Sequence, residues 1–121
     1  GGFLDAADTD FDFDKAKNCP SNIDVTFVLD AKSNMAASLY NERNDLTMEV
    51  YTDQPAVHIY VGGNCSETLK GKENADYHPS SGICFEAQNF PDAPNHKHFP
   101  NAVLRKDEVY EQKTKYKFLS N

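Results

Sequence analysis

Basic residues are in short supply in this chain of 121 residues: 12 Lys and Arg stand against 19 Asp and Glu, for a formal charge of −7 and a pI near 4.9. Affinity for a phosphate backbone comes from clustered cations, so the deficit argues against a nucleic-acid partner. An anionic membrane surface is disfavoured for the same reason. No apolar run approaches the length that crosses a bilayer, so the chain reads as soluble. Cysteine is scarce as well: Cys19, Cys65 and Cys84 form an odd set without C-x-x-C spacing. Neither a disulfide framework nor a zinc ribbon is indicated, and the compartment reads as reducing, the cytoplasm. Sustained helical periodicity, internal repeats and low-complexity segments are missing too. So are G-x-S-x-G, H-E-x-x-H and a phosphate-cradling glycine loop. Asn64-Cys65-Ser66 matches a glycosylation acceptor, a tripeptide short enough to arise by chance. Position 1 lacks methionine, and no basic stretch followed by an apolar one stands near it, which implies that processing or truncation removed what came before.

What is present is a series of short β-type runs between turn signals, within a chain that is 39% hydrophobic. IDVTFVLD at 23–30 is β-branched and aromatic. MAASLY at 35–40 and LTMEVYT at 46–52 flank NERND, which has the composition of a hairpin loop. VHIYV at 57–61 ends at Gly62-Gly63, and ICFEAQ at 83–88 follows Ser80-Ser81-Gly82. A last strand is predicted at 108–118, with Tyr110, Thr114, Tyr116 and Phe118 on one face and Lys113, Lys115 and Lys117 on the solvated other. DTDFDFDKAK at 8–17 reads as an acidic loop or an edge strand with Phe11 and Phe13 as apolar anchors. The expected fold is all-β: an antiparallel β-sandwich in a single domain.

Alternation in ICFEAQ sends Ile83, Phe85 and Ala87 to one face and Cys84, Glu86 and Gln88 to the other. Glu86 reads either as a solvated strand residue or as a carboxylate lining a polar cleft, where it can act as a general base. Asp24 opens a strand, and Gln54 follows one just before Pro55. Singly they read as turn and loop residues; with Glu86 they suit a carbohydrate site, where carboxylates and amides hold hydroxyl groups in fixed geometry. His96 and His98 lie in a loop bracketed by Pro94 and Pro100 with no third ligand evident, so no metal site is expected. His58 and His78 read as structural.

TDFDF, NIDVTFVL, MEVYTDQPAVHIY, GICFEAQNFPDAPNHKHFP and LRKDEVYEQKTKYKF, in this order, resemble the C-terminal part of the aldose 1-epimerases, the galactose mutarotases. The resemblance covers nearly the whole chain, and its most specific element is the glutamate-bearing strand followed by FPDAPN and FP. It implies that residues 1–121 form the C-terminal portion of a mutarotase-like supersandwich that binds a free hexose such as galactose or glucose. It implies for Glu86 the role of general base on the C1 hydroxyl, and for Asp24 and Gln54 contacts to the sugar. No cofactor or metal is implied. Ile23 and Val25 depart from the aromatic and the histidine that usually flank the aspartate, and YVGGN stands in place of the usual YTGN. No histidine of this chain sits in a motif matching the family's acid. The resemblance therefore implies that the acid histidine belongs to the N-terminal portion of the same protein, and that these residues alone are inactive.

Other readings are a non-catalytic carbohydrate-binding module, a structural domain, a glycosidase using Asp24 and Glu86, and a sugar-phosphate mutarotase. The glycosidase needs its carboxylates at one of two defined separations. The last lacks an Arg or Lys cluster among these motifs for the phosphate. Part of a sandwich also leaves sheet surface uncovered, and poor solubility in isolation is expected.

Overall fold

The computed structural model describes residues 2–30, 33–63 and 69–120. Eight strands run as β1 (Asp24–Val28), β2 (Met35–Asn41), β3 (Leu46–Thr52), β4 (Ala56–Tyr60), β5 (Leu69–Lys70), β6 (Asp76–Tyr77), β7 (Cys84–Gln88) and β8 (Thr114–Ser120). Two short 3-10 turns, Lys72–Asn74 and Ala93–Asn95, are the helical elements among these residues. The chain is all-β and antiparallel, as its periodicity predicts. Among the described residues no helix is long and apolar enough to cross a membrane. The glycosylation tripeptide and Cys65 lie outside the described residues.

The strands form two three-stranded sheets, β1-β4-β7 and β2-β3-β8, with β5-β6 as a small separate pair. In the first sheet β4 is central, and its register aligns Thr26, His58 and Glu86 in one row and Asp24, Tyr60 and Cys84 in the next. Side chains alternate across the strands, so one face carries these polar residues and the other carries Val25 and Phe27, Val57 and Ile59, Phe85 and Ala87. Val57 is almost fully buried on that apolar face. Phe11 and Phe13 set their rings edge-on to Phe27 at centroid distances of 6.4 and 5.8 Å. The acidic segment is therefore a loop held by its two aromatic anchors, not an edge strand.

The second sheet starts as the expected hairpin. Asp45, in the left-handed region at φ 53°, closes the turn and accepts a hydrogen bond from the Tyr40 hydroxyl. Val50 is fully buried in β3, while Tyr116 opposite it on β8 stays 48% exposed. The lysine face is as predicted for Lys115 and Lys117: the former lies over the Tyr51 ring and the latter pairs with Glu49 at 3.1 Å. The predicted strand over 108–118 is corrected. Pairing begins only at Thr114, opposite Thr52, where β3 itself ends. Before that point the chain has other partners: Asp53 accepts the Lys113 amide, and the Gln112 side chain donates to Ala87 O at 2.9 Å.

Candidate active site

Glu86 sits at the middle of β7, exposed, on the polar face of the first sheet. Among the described residues its carboxylate has no hydrogen-bond or ion-pair partner. A carboxylate in that state has all its acceptor capacity available to a ligand.

Asp24 comes from the start of β1, and His58 links it to the row that holds Glu86. His58 Nε2 lies 2.9 Å from Asp24 Oδ1, and its Nδ1 lies 2.8 Å from Thr26 Oγ1. Alternation places all of these on one face, with Tyr60 and Cys84 completing the Asp24 row. The strand pattern VHIYV marks His58 as a structural residue; the structure places it between the two carboxylates. The signal for it was the shared parity of Asp24 with Thr26 and of His58 with Ala56, readable only once β4 is known to pair with both β1 and β7.

Two strand spacings and one two-residue step separate the Cα atoms of Asp24 and Glu86 by about 12 Å. His58 occupies the position between them.

Gln54 lies apart from this pair, beyond the Ala56 end of β4. Its backbone N–H donates to Thr52 Oγ1, and its side-chain amide donates to Asp53 Oδ1 at 2.9 Å. That amide, and then the backbone N–H of Lys113, hold the Asp53 carboxyl below the usual aspartate range. Gln54 lines an open cavity of about 730 Å³ with Leu29, Thr52, Phe90 and Tyr110. Asp24 lines a smaller one of about 320 Å³ with Ile23, Tyr60 and Ser80. The structure thus brings Asp24 and Glu86 onto one face and sets Gln54 at its far end.

The FPDAPN segment seals that far end. Phe90 and Ala93 are buried with Ala56, and Phe99 packs against them. Asp92 takes a left-handed conformation at φ 60° and pairs with His96 Nε2 at 3.0 Å. The Asn95 amide, then His96, keep the Asp92 carboxyl below its ordinary value. His98 stacks edge-on against Phe99, at 4.5 Å between centroids. The two loop histidines thus serve local packing and pairing, and among the described residues no cluster of three metal-binding side chains is formed. Cys19 and Cys84 are both free thiols.

The sequence profile described as aldose 1-epimerase matches residues 1–117. The galactose mutarotase of Homo sapiens is 41% identical over 87 residues, which cover 72% of this chain and 25% of that protein. That of Mus musculus is 49% identical over 71 residues, 59% of this chain and 21% of that protein. The aldose 1-epimerase of Escherichia coli (strain K12) is 31% identical over 98% of this chain and 39% of its own length. Among solved structures, the crystal structure of a GalM/aldose epimerase homologue from C. elegans matches with a TM-score of 0.80 at 25% identity, covering 95% of this chain and 38% of that one. The chain spans about a quarter of the length of the mammalian relatives it matches.

Proposed function

The chain belongs to the aldose 1-epimerase family, and from that premise we propose that it carries the general base and part of the sugar-binding surface of a hexose mutarotase. The observation that carries the reading is the exposed carboxylate of Glu86, without a partner among the described residues, on the same face as the fixed carboxylate of Asp24. Glu86 takes the proton from the C1 hydroxyl while an acid protonates the ring oxygen. The C1–O5 bond breaks, the C1–C2 bond rotates, and O5 attacks the opposite face of the carbonyl. The acid then takes back its proton from O5, and Glu86 returns one to O1, closing the other anomer. Galactose and glucose are the substrates in view. Asp24 and Gln54 accept and donate hydrogen bonds to sugar hydroxyls, and the scheme uses no cofactor.

Both nitrogens of His58 are engaged within the sheet, and His96 is paired with Asp92. The acid in this proposal is the histidine that the family resemblance assigns to an N-terminal portion of the same protein, outside residues 1–121. The free thiols of Cys19 and Cys84 accord with a reducing, cytoplasmic setting.

The test is polarimetry of α-galactose and α-glucose with the protein that contains this chain, followed by Glu86→Gln. Loss of a positioned general base lowers kcat by about 10²- to 10⁴-fold. A loss below about tenfold removes Glu86 from that role. Sugar binding by calorimetry with no mutarotation in the unsubstituted protein favours instead a non-catalytic carbohydrate-binding module.

A further inference from the structure

Resting on the mutarotase reading above, we propose that His58 is a positioning residue that fixes the sugar-binding carboxylate of Asp24. Its imidazole bridges two side chains of β1: Nε2 to Asp24 Oδ1 at 2.9 Å and Nδ1 to Thr26 Oγ1 at 2.8 Å. A carboxylate only accepts, so Nε2 carries the hydrogen toward Asp24. In the neutral ring Nδ1 then accepts from the Thr26 hydroxyl. Thr26 thereby selects the tautomer, as the partner of one ring nitrogen does for the other.

The burial of the pair is asymmetric in a useful way. The His58 side chain is 22% exposed and that of Asp24 55% exposed. The ring is held in the sheet while the carboxylate reaches solvent. Oδ1 is committed to His58, which leaves Oδ2 to accept a hydroxyl hydrogen from a sugar on the same face as Glu86. An aspartate at a strand end otherwise samples several rotamers, and ordering it on binding costs affinity. With both nitrogens occupied, the ring has none to offer the sugar's ring oxygen, so its place in the reaction is orientation and not proton donation.

The experiment is a double-mutant cycle on His58→Leu and Asp24→Ala, read as kcat and KM for galactose in the protein that contains this chain. The expected result is a KM raised about tenfold or more for each, the scale of a hydrogen bond to a charged group. Little change in kcat accompanies it, since the lost contact serves ground state and transition state alike. The double variant is expected to be no worse than Asp24→Ala alone, because the two act through one contact. His58→Gln, whose amide N–H replaces Nε2–H, recovers most of the loss. Additive effects on KM, or a fall in kcat at constant KM, overturn the proposal.

Nitrogen-15 shifts of the His58 ring at pH 8 give a reading that needs no variant: an Nε2–H tautomer supports the proposal and an Nδ1–H tautomer overturns it. Glu86→Gln separates the two levels of inference. Activity unaffected by Glu86→Gln sinks the base assignment. Activity lost there, with additive His58 and Asp24 effects, sinks only the positioning role.

Discussion

Tyr116 donates its hydroxyl hydrogen to the backbone carbonyl of Phe85 across 3.0 Å, and so ties the second sheet to the strand that bears Glu86. β7 is an edge strand, and alternate carbonyls of such a strand point away from its one neighbour. Gln112 takes the next outward carbonyl, that of Ala87, at 2.9 Å. Two side chains thus occupy acceptors that would otherwise invite another strand. Tyr116→Phe is expected to lower stability by about 0.5–1 kcal/mol, the low end for a hydrogen bond, because the exposed carbonyl can turn to water. Urea midpoints at unchanged slope measure it. A midpoint identical to that of the unsubstituted protein shows that the contact adds nothing.

Asp53 makes the link at the other end of the second sheet, where both its oxygens lie 3.1 Å from the Lys113 amide nitrogen. The Gln54 amide, followed by that backbone N–H, lowers its folded pKa. A depressed carboxylate pKa contributes stability that is fully present above the unfolded value of about 3.9 and lost as pH falls through the folded value. Between pH 7 and 5 Asp53 is therefore expected to leave stability unchanged, and below about pH 4 to add to its decline. Asp53→Asn flattens that acid limb without removing it, because Glu49 and Asp92 are lowered too. Denaturant midpoints at pH 7, 5 and 3 decide it; an acid limb unaltered by the substitution counts against the link.

The strands that periodicity located are those whose pattern is complete within their own residues. β1, β4 and β7 each alternate cleanly, and NERND marks the hairpin by composition alone. The last strand shows where such reading stops. EVYEQK alternates as well as TKYKF does, yet β3 offers no residue beyond Thr52 to pair with it. A strand needs a partner, and the partner's length is not written in the strand. The site divides in the same way. Glu86 and Asp24 stand out as charged residues in apolar runs, whereas the role of His58 depends on the order β1-β4-β7, in which no two neighbours are consecutive in sequence. Gln54 was visible from its motif, but its distance from the carboxylates depends on where β4 begins.

Asp92 tests how firmly the FPDAPN turn is set. Its φ of 60° is a conformation that Asp and Asn tolerate and Ala does not. It also receives the Asn95 amide and the His96 ring. Asp92→Asn keeps the backbone preference and loses the charge, whereas Asp92→Ala loses both. The expected order of melting temperature is Asp92, then Asn, then Ala, with the alanine variant less stable by about 1–2 kcal/mol for the left-handed residue alone. Equal melting of the Asn and Ala variants shows that the backbone conformation carries no weight there.

Ala56 is where packing and site meet. Its side chain is fully buried against Phe90 and Ala93, and it stands two residues from both Gln54 and His58 on β4. A larger residue has no room: overpacking a closed core costs about 1–3 kcal/mol. Relief is available in one direction, since β4 is held on both sides by β1 and β7 while the loop above it is held mainly by its own contacts. Ala56→Leu is therefore expected to displace Phe90 and the wall of the larger cavity, where Gln54 lies, and to leave the Thr26, His58 and Glu86 row in register. On the proposed mutarotase reading, polarimetry then gives a raised KM for galactose with kcat largely kept, because Glu86 is undisturbed and the proposed contact of Gln54 to the sugar is not. Ala56→Gly leaves the loop in place and is expected to keep KM while lowering stability, through the mid-strand flexibility that glycine brings. A fall in kcat with KM unchanged in Ala56→Leu means that the strain travels along β4 to the Glu86 row, and that the two ends of the face are mechanically one.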